Sequence, residues 1–220
     1  MIQTKPLPEA VALSRSLVYS LLAQAYISPQ ADVLKLFCAE ETHEKVINAS
    51  RFFTQEDLAS KFVASWQLLR DQLGNVSTTD YEAEYLQLFE IGIPKAPCAL
   101  YESAYGREDQ RREIMSELVR FYNYFGLGMG KQAKEMPDHL HVQLEFLHYL
   151  TFLEAQALEE GQNPQSLRLA QHDFYERHIT QWTSELWSCI DLKQSSVFKR
   201  WGKFTQLFFI AEEEGLKGIL

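Results

Sequence analysis

Apolar residues recur at every third or fourth position along nearly the whole chain, which is the spacing of one buried face of an α-helix. The first such stripe runs from Val11 to Tyr26 and stops at the residues Ser28-Pro29-Gln30. No convincing segment alternates apolar and polar residues in the way that a half-buried strand does. The pattern therefore predicts an all-α protein.

Capping residues, glycines and prolines divide this periodic sequence into about nine or ten helices. We predict helices over residues 9–27, 31–37, 40–49, 54–73, 77–89, 107–125, 137–160, 165–179, 180–192 and 195–214. The helix that starts at Pro137 and ends at Gly161 is apolar nearly all round. That distribution is typical of a central, buried helix.

Two segments interrupt the helical period. Residues 91–106 form a long loop with prolines and tyrosines, and structured loops of such length are often functional. Residues 127–136, LGMGKQAKEM, form a glycine-containing linker between an N-terminal half, 1–126, and a C-terminal half, 137–220. We expect one globular bundle over residues 1–220 whose halves share a core, with a possible hinge near residues 126–136.

Composition and charge narrow the class of protein. The chain has 220 residues, of which 46% are hydrophobic, and a formal net charge of −9. Such a charge argues against a nucleic-acid-binding protein, because affinity for phosphates comes from cationic side chains. It is compatible with a basic peptide as partner, since opposite charges speed encounter.

Cysteine usage and the chain's N-terminus both indicate a cytoplasmic protein. Cys38, Cys98 and Cys189 are far apart, odd in number and form no C-x-x-C pair, so we expect reduced thiols. The first residues read as an amphipathic helix rather than a secretory signal. No run of about 18 apolar residues exists that would span a membrane.

The stretch from Asp138 to His148 carries the densest candidate chemistry. On a helix, Asp138, His141, Glu145 and His148 share one face. Glu145-x-x-His148 has the spacing of a di-iron carboxylate bundle, and Glu40-x-x-His43 would supply a second copy. The alternative function is therefore a helical-bundle metalloenzyme, although we favour histidines that are hydrogen-bonded to their neighbours.

Nucleotide and nucleophile motifs are not found. The sequence contains no G-x-x-x-x-G-K-[ST], no G-x-S-x-G and no H-E-x-x-H. The glycine-rich residues 126–131 follow a predicted helix rather than a strand, so a hinge is favoured over a phosphate-binding loop.

Two segments in order resemble a known family. Residues 84–105, in which EYLQLFEIG is followed by APCALYESAY, precede EMPDHLHVQLEFLHYL at residues 135–150. Together they resemble the TorD/DmsD/NarJ family of redox-enzyme maturation chaperones, whose pattern is an aromatic-x-x-Leu-Phe helix end, a Pro-rich loop with Y-E-S-x-Y, and P-D-H-L.

The resemblance implies an all-α cytoplasmic chaperone and not an enzyme. Members bind the twin-arginine signal peptide, and often the body, of a molybdoenzyme precursor. They assist insertion of the molybdenum cofactor and prevent premature export. The resemblance implies no cofactor of the chain's own, although some members bind GTP weakly, and it implies a monomer or a domain-swapped dimer. The LYESAY loop of this chain is similar to the loops of family members that serve dimethyl sulfide, ethylbenzene, selenate, chlorate or nitrate enzymes.

The family's signal-peptide-binding surface, carried over by motif, falls on nine residues: Tyr85, Leu88, Phe89, Pro97, Tyr101, Glu102, Tyr105, Asp138 and His139. Carboxylates such as Glu102 and Asp138 are suited to pair with the guanidinium groups of the two arginines. Aromatic side chains among the nine would hold the apolar part of the peptide and stack on arginine.

Overall fold

The computed structural model describes residues 7–30, 32–93, 95–106, 108–128, 135–193 and 197–218. Ten α-helices lie within these ranges: α1 Pro8–Ala25, α2 Val33–Cys38, α3 Glu40–Ala49, α4 Glu56–Leu73, α5 Thr78–Tyr85, α6 Arg111–Tyr124, α7 Leu140–Glu159, α8 Gln165–Phe174, α9 Thr183–Asp191 and α10 Val197–Lys217. The predicted all-α bundle is confirmed.

Helix α7 lies at the centre of the bundle, as its apolar sequence predicts. Leu140, Leu144, Leu147 and Leu150 are fully buried at helical spacing. The main neighbour of α7 is α1, which approaches closely enough for the His141 imidazole to donate to the Ala23 carbonyl at 2.9 Å. The first and second halves of the chain therefore share this core.

Helices α4 and α10 form the second extensive packing pair. Their contact is aromatic: the Phe62 ring stacks on Phe204 with centroids 4.6 Å apart, and the Trp66 ring lies 5.3 Å from Phe204. Gln55 next to the start of α4 donates to Glu214 near the end of α10 at 2.6 Å. The two helices thus run antiparallel, and this contact also joins the two halves.

A buried charged network crosses four helices. The Arg15 guanidinium on α1 binds both carboxylate oxygens of Glu212 on α10, at 2.7 and 2.8 Å. It also donates to Glu154 on α7 at 3.0 Å and to Gln171 on α8 at 2.7 Å. Buried carboxylates need such partners, because an unpaired buried charge is costly.

Two helices end at a glycine with a left-handed backbone conformation, and one helix begins later than predicted. Gly126 and Gly161 have φ of 77° and 69°, the left-handed conformation that glycine tolerates after a helix end. Helix α7 begins at Leu140, so its predicted start at Pro137 is wrong. His139 caps it instead, accepting from the backbone N–H of His141 at 3.1 Å.

The structure also corrects the interpretation of the cysteines. Cys98 and Cys189 form a disulfide with Cα atoms 5.7 Å apart, so the prediction of reduced thiols is wrong for these two. Only Cys38 is a free thiol. The pairing was hidden because 91 residues separate the partners in sequence.

The predicted hinge falls mostly outside the described part of the chain. Of residues 126–136, the structure describes 126–128 and 135–136. The division into halves and the hinge therefore stay predictions. None of the described helices is long and apolar enough to cross a membrane.

Candidate functional site

The two motif segments meet in a short antiparallel bridge between Tyr101 and His139. The backbone N–H of Glu102 donates to the Asp138 carbonyl at 3.0 Å, and that of Leu140 donates to the Leu100 carbonyl at 2.8 Å. This bridge fixes the long loop against the start of α7. The structure thus brings together four predicted site residues that lie far apart in sequence.

A π-helical turn, Leu86–Glu90, ends α5 beside this bridge. The backbone N–H of Ile91 donates a hydrogen bond to the Leu86 carbonyl at 2.7 Å, which is the five-residue spacing of a π-helix. The turn is held to the loop because the Cys98 N–H donates to the Leu88 carbonyl at 3.0 Å. As a result Glu90, at the end of the turn, is exposed beside the loop.

An acidic patch, defined as Tyr85, Glu90, Tyr101 and Glu135, lies where these elements converge. The Tyr101 hydroxyl donates to the Glu135 carboxylate at 3.1 Å. Partial burial raises the pKa of Glu90, and the nearby negative charge of Glu135 raises it further, while the Tyr85 hydroxyl partly offsets the shift. The patch therefore places two mutually repelling carboxylates beside the Tyr101 ring.

Sequence reasoning did not select Glu90 or Glu135. Both flank the motifs, Glu90 in LFEIG and Glu135 in EMPDH. The sequence did hold a clue to them, since carboxylates next to the motifs are candidates to pair with the peptide's arginines, as are the carboxylates inside the motifs. What could not be read from sequence was that the π-helical turn and the bridge place the two glutamates near each other.

His139 lies directly beneath the patch. Its ring is fully buried, packs edge-on against Tyr101 at 4.8 Å, and has its Nε2 atom 4.0 Å from a Glu135 carboxylate oxygen. Burial, together with the neighbouring His141, lowers the pKa of His139 to about 3. The ring is therefore neutral at pH 7, and it does not form an ion pair with Glu135.

Glu102 and Asp138 are buried rather than presented to a ligand. Only 4% of Glu102 and 2% of Asp138 is exposed. Glu102 accepts from the Gln143 amide at 2.6 Å and lies 3.2 Å from His178 Nδ1. The Asp138 carboxylate accepts from the backbone N–H of Ser103 at 3.2 Å. In this conformation both carboxylates hold the loop and α7 together, and neither is free for a guanidinium group.

The remaining predicted residues divide between core and surface. Tyr85, Leu88 and Phe89 are buried, and the Phe89 ring packs against Phe198 at 5.0 Å. The Tyr105 ring is half-buried against another ring of the core, while Pro97 is exposed on the loop. The peptide-binding role of these residues stays a prediction, and the structure places most of them behind the surface.

The first pair of the metalloenzyme alternative is engaged by different neighbours. His148 donates from Nδ1 to the Ser16 carbonyl at 2.9 Å, across to α1. The Glu145 carboxylate lies 3.4 Å from His141 Nε2 and is 54% exposed. Hydrogen-bonded histidines, the interpretation favoured from the sequence, are what the structure shows.

The second pair lies on α3 and is engaged in the same way. Glu40 pairs with Arg70 at 2.6 Å, and His43 accepts from the Trp66 indole at 3.1 Å. Among the residues that the structure describes, no three His, Cys, Asp or Glu side chains are arranged to hold a metal ion. The di-iron alternative built on Glu145, His148, Glu40 and His43 is therefore wrong.

Comparison with known proteins identifies a matching family and several similar proteins. The profile of the family described as nitrate reductase delta subunit matches residues 55–188. The perchlorate reductase assembly chaperone protein of Dechloromonas aromatica is 33% identical over 201 residues, which cover 91% of this chain and 86% of that protein.

Two further relatives match about half of each chain. The selenate reductase assembly chaperone protein of Thauera selenatis is 40% identical over 104 residues, covering 47% of this chain and 54% of that protein. The nitrate reductase molybdenum cofactor assembly chaperone NarJ of Escherichia coli K12 is 32% identical over 111 residues, covering 50% and 44%. Each of the three relatives is named as an assembly chaperone.

Proposed function

This chain belongs to the nitrate reductase delta subunit family, which is the TorD/DmsD/NarJ family of redox-enzyme maturation chaperones, and on that premise we propose that it assembles a molybdoenzyme. It binds the twin-arginine signal peptide and the body of the enzyme's precursor in the cytoplasm. It assists insertion of the molybdenum cofactor and prevents premature export. Its role is binding and not catalysis.

The observation that carries the signal-peptide step is the acidic patch. Glu90 and Glu135 are close enough for the charge of one to raise the pKa of the other. A guanidinium group placed between them relieves this repulsion and can donate bidentate hydrogen bonds to the two oxygens of each carboxylate. A lysine ammonium satisfies that geometry less well, because it lacks the planar fork of donors.

The aromatic members of the patch add a second contact. The Tyr101 ring is only half-buried, and its hydroxyl is oriented by Glu135. A guanidinium that pairs with Glu135 therefore passes close to this ring, where a cation–π contact is favourable. The side chains of Tyr85 and His139 are buried behind Tyr101 and the two glutamates.

This proposal redistributes the nine predicted residues. Tyr101 contacts the peptide directly, and Pro97 borders its path along the loop. The buried members position these two, most of all through the Glu102 and Asp138 bonds that join the loop to α7. Glu90 and Glu135 replace Glu102 and Asp138 as the partners of the arginine pair.

A titration of a synthetic twin-arginine signal peptide of a molybdoenzyme precursor into the protein tests the proposal. We expect the Glu90→Gln/Glu135→Gln variant to bind it at least tenfold more weakly, because each charge-assisted contact contributes about 1.5–3 kcal/mol. Calorimetry measures the dissociation constant. Glu145→Gln, which removes an exposed carboxylate on α7, is the matched control and leaves the affinity unchanged.

A second peptide sharpens the result. The same sequence with both arginines replaced by lysines should bind the wild type more weakly, and the Glu90→Gln/Glu135→Gln variant should discriminate less between the two peptides. Equal affinity of wild type and double variant for the arginine peptide would contradict the assignment of the patch.

The resemblance bears on two further properties, which we include as proposals. The chain has no cofactor of its own and binds GTP weakly, as some family members do. Titration of the purified protein with GTP measures this affinity. The chain is a monomer or a domain-swapped dimer, which sedimentation distinguishes.

A further inference from the structure

A second surface of opposite charge lies on the α4–α10 pair. Between these helices runs an open groove of about 980 Å³. Its apolar floor includes Leu58, Leu207 and the exposed parts of Leu68 and Ile210, of which 54% and 46% is accessible. Large aliphatic side chains exposed side by side are the usual mark of an interaction surface.

Cations line this groove in a chain whose net charge is −9. Lys61, Lys199, Arg200 and Lys203 border it, and none of the described residues that line it carries a carboxylate. In the described part of the chain, Lys199 and Lys203 have no ion-pair partner. Lys61 pairs only with Asp57, in a bridge whose two side chains are 62% and 76% exposed, so the pair is weak.

We propose that this groove, called here the basic groove, binds an acidic amphipathic helix of another protein. The partner's apolar stripe lies on the leucine and isoleucine floor, and its flanking Asp or Glu side chains pair with the lysines. The inference goes beyond the proposed function, because it concerns a different surface and does not require a twin-arginine peptide.

The dimensions of the groove favour a helix of about three turns. From Leu58 to Leu68 the wall formed by α4 is about 15 Å long, at 1.5 Å per residue. Lys199 and Lys203 are four residues apart on α10, so they face acidic residues four apart on a helix laid alongside. Helix-in-groove docking uses this arrangement of apolar anchors and flanking charges.

A helix also suits the apolar floor better than an extended segment. The backbone N–H and C=O groups of a helix are bonded within it, whereas an extended segment would bring unpaired polar groups onto Leu58, Leu68 and Leu207. The groove's lining offers an extended chain few acceptors, since its polar members are mostly cationic.

The test uses a synthetic helical peptide of three to four turns, with leucines every third or fourth position and glutamates on both flanks. Fluorescence anisotropy measures its binding to the full chain. We expect Lys199→Glu/Lys203→Glu to weaken binding by about tenfold, from loss of two pairs and gain of repulsion. We also expect the wild-type affinity to fall as salt is raised.

A matched control has the same net charge. Arg111→Glu/Arg112→Glu reverses two exposed charges at the start of α6, outside the groove, and leaves the affinity unchanged. Leu68→Gln tests the floor independently. It should also weaken binding, because it places a polar amide on the apolar floor at a side chain that is 54% exposed. The twin-arginine peptide binds all three variants as it binds the wild type.

Several results would overturn the proposal. Failure of the glutamate peptide to bind the wild type would do so, as would equal binding of a peptide with every glutamate changed to glutamine. Equal weakening by the α6 control would show a non-specific charge effect. Preferential binding of phosphatidylglycerol vesicles, or self-association of the chain that Lys199→Glu/Lys203→Glu abolishes, would assign the groove to a membrane surface or to a second copy instead.

Discussion

Replacing Glu102 by alanine separates a structural role of this residue from a binding role. The sequence places Glu102 in the Y-E-S-x-Y motif and suggests a contact with arginine. The structure buries it and gives its carboxylate two internal partners, Gln143 and His178. We therefore expect Glu102→Ala to destabilise the fold.

The size of this loss follows from the groups that the substitution leaves without a partner. The Gln143 amide and the His178 imidazole are both buried, and each orphaned polar group costs about 1–3 kcal/mol. The expected loss of unfolding free energy is therefore about 2–6 kcal/mol, a large share of the roughly 5–15 kcal/mol that stabilises a typical domain. With an m value of about 3 kcal/mol per M for a chain of this size, the urea midpoint falls by about 0.7–2 M.

Urea unfolding followed by circular dichroism measures this midpoint, with Glu102→Gln as the matched control. Glutamine keeps the shape and an acceptor for Gln143, and His178 can move its proton to the other ring nitrogen and accept in turn. Burial also raises the pKa of Glu102 above its usual value. The wild type therefore loses stability relative to Glu102→Gln as pH rises from below the unfolded pKa, about 4.3, through the raised folded pKa.

A single result would refute this reasoning. If Glu102→Ala kept the wild-type urea midpoint and yet lost affinity for the twin-arginine peptide, the carboxylate would be a ligand of the peptide and not a support of the loop. A lowered midpoint with affinity unchanged at low temperature, where the variant is still folded, agrees with the structural role.

Two further predictions concern buried polar groups. His139→Asn keeps an oxygen that can cap α7. Because burial lowers the pKa of His139 to about 3, the wild type should lose about 2–3 kcal/mol of stability as the pH falls from 6.5 to 4.5, and the variant should not. Urea midpoints at the two pH values measure this difference. Arg15→Met should cost about 3–5 kcal/mol because it leaves Glu212 buried without its cation. The double variant Arg15→Met/Glu212→Leu should recover part of that loss in thermal unfolding, and a double variant less stable than Arg15→Met would contradict this.

The fold was readable from the sequence where burial alone decides the structure. Helix α7 was predicted because apolar residues recur nearly all round it. Gly126 and Gly161 marked helix ends because glycine tolerates the positive φ that follows a helix. The start of α7 was misplaced by three residues. Proline is compatible with a first turn, but here Pro137 and Asp138 are used to reach the bridge with the loop, and His139 takes the cap.

The orientation of the carboxylates in the two motifs could not be predicted from the sequence. Motif resemblance selected two segments, which the structure joins through the Tyr101–His139 bridge. It could not tell which carboxylates turn inward, because that depends on partners such as Gln143 and His178 that are distant in sequence. The Cys98–Cys189 pairing was missed for the same reason.

The composition of the acidic patch has a consequence for mixed assemblies. Glu90 and Tyr101 precede the segment 129–134, and Glu135 follows it. If two chains exchanged residues 135–220, each patch would combine residues of both chains, while the ratio of one peptide to one chain would stay the same. Mixing Glu90→Gln chains with Glu135→Gln chains would then create some patches with both glutamates intact and others with neither. Complementation between two defective chains would thus reveal exchange that binding stoichiometry cannot.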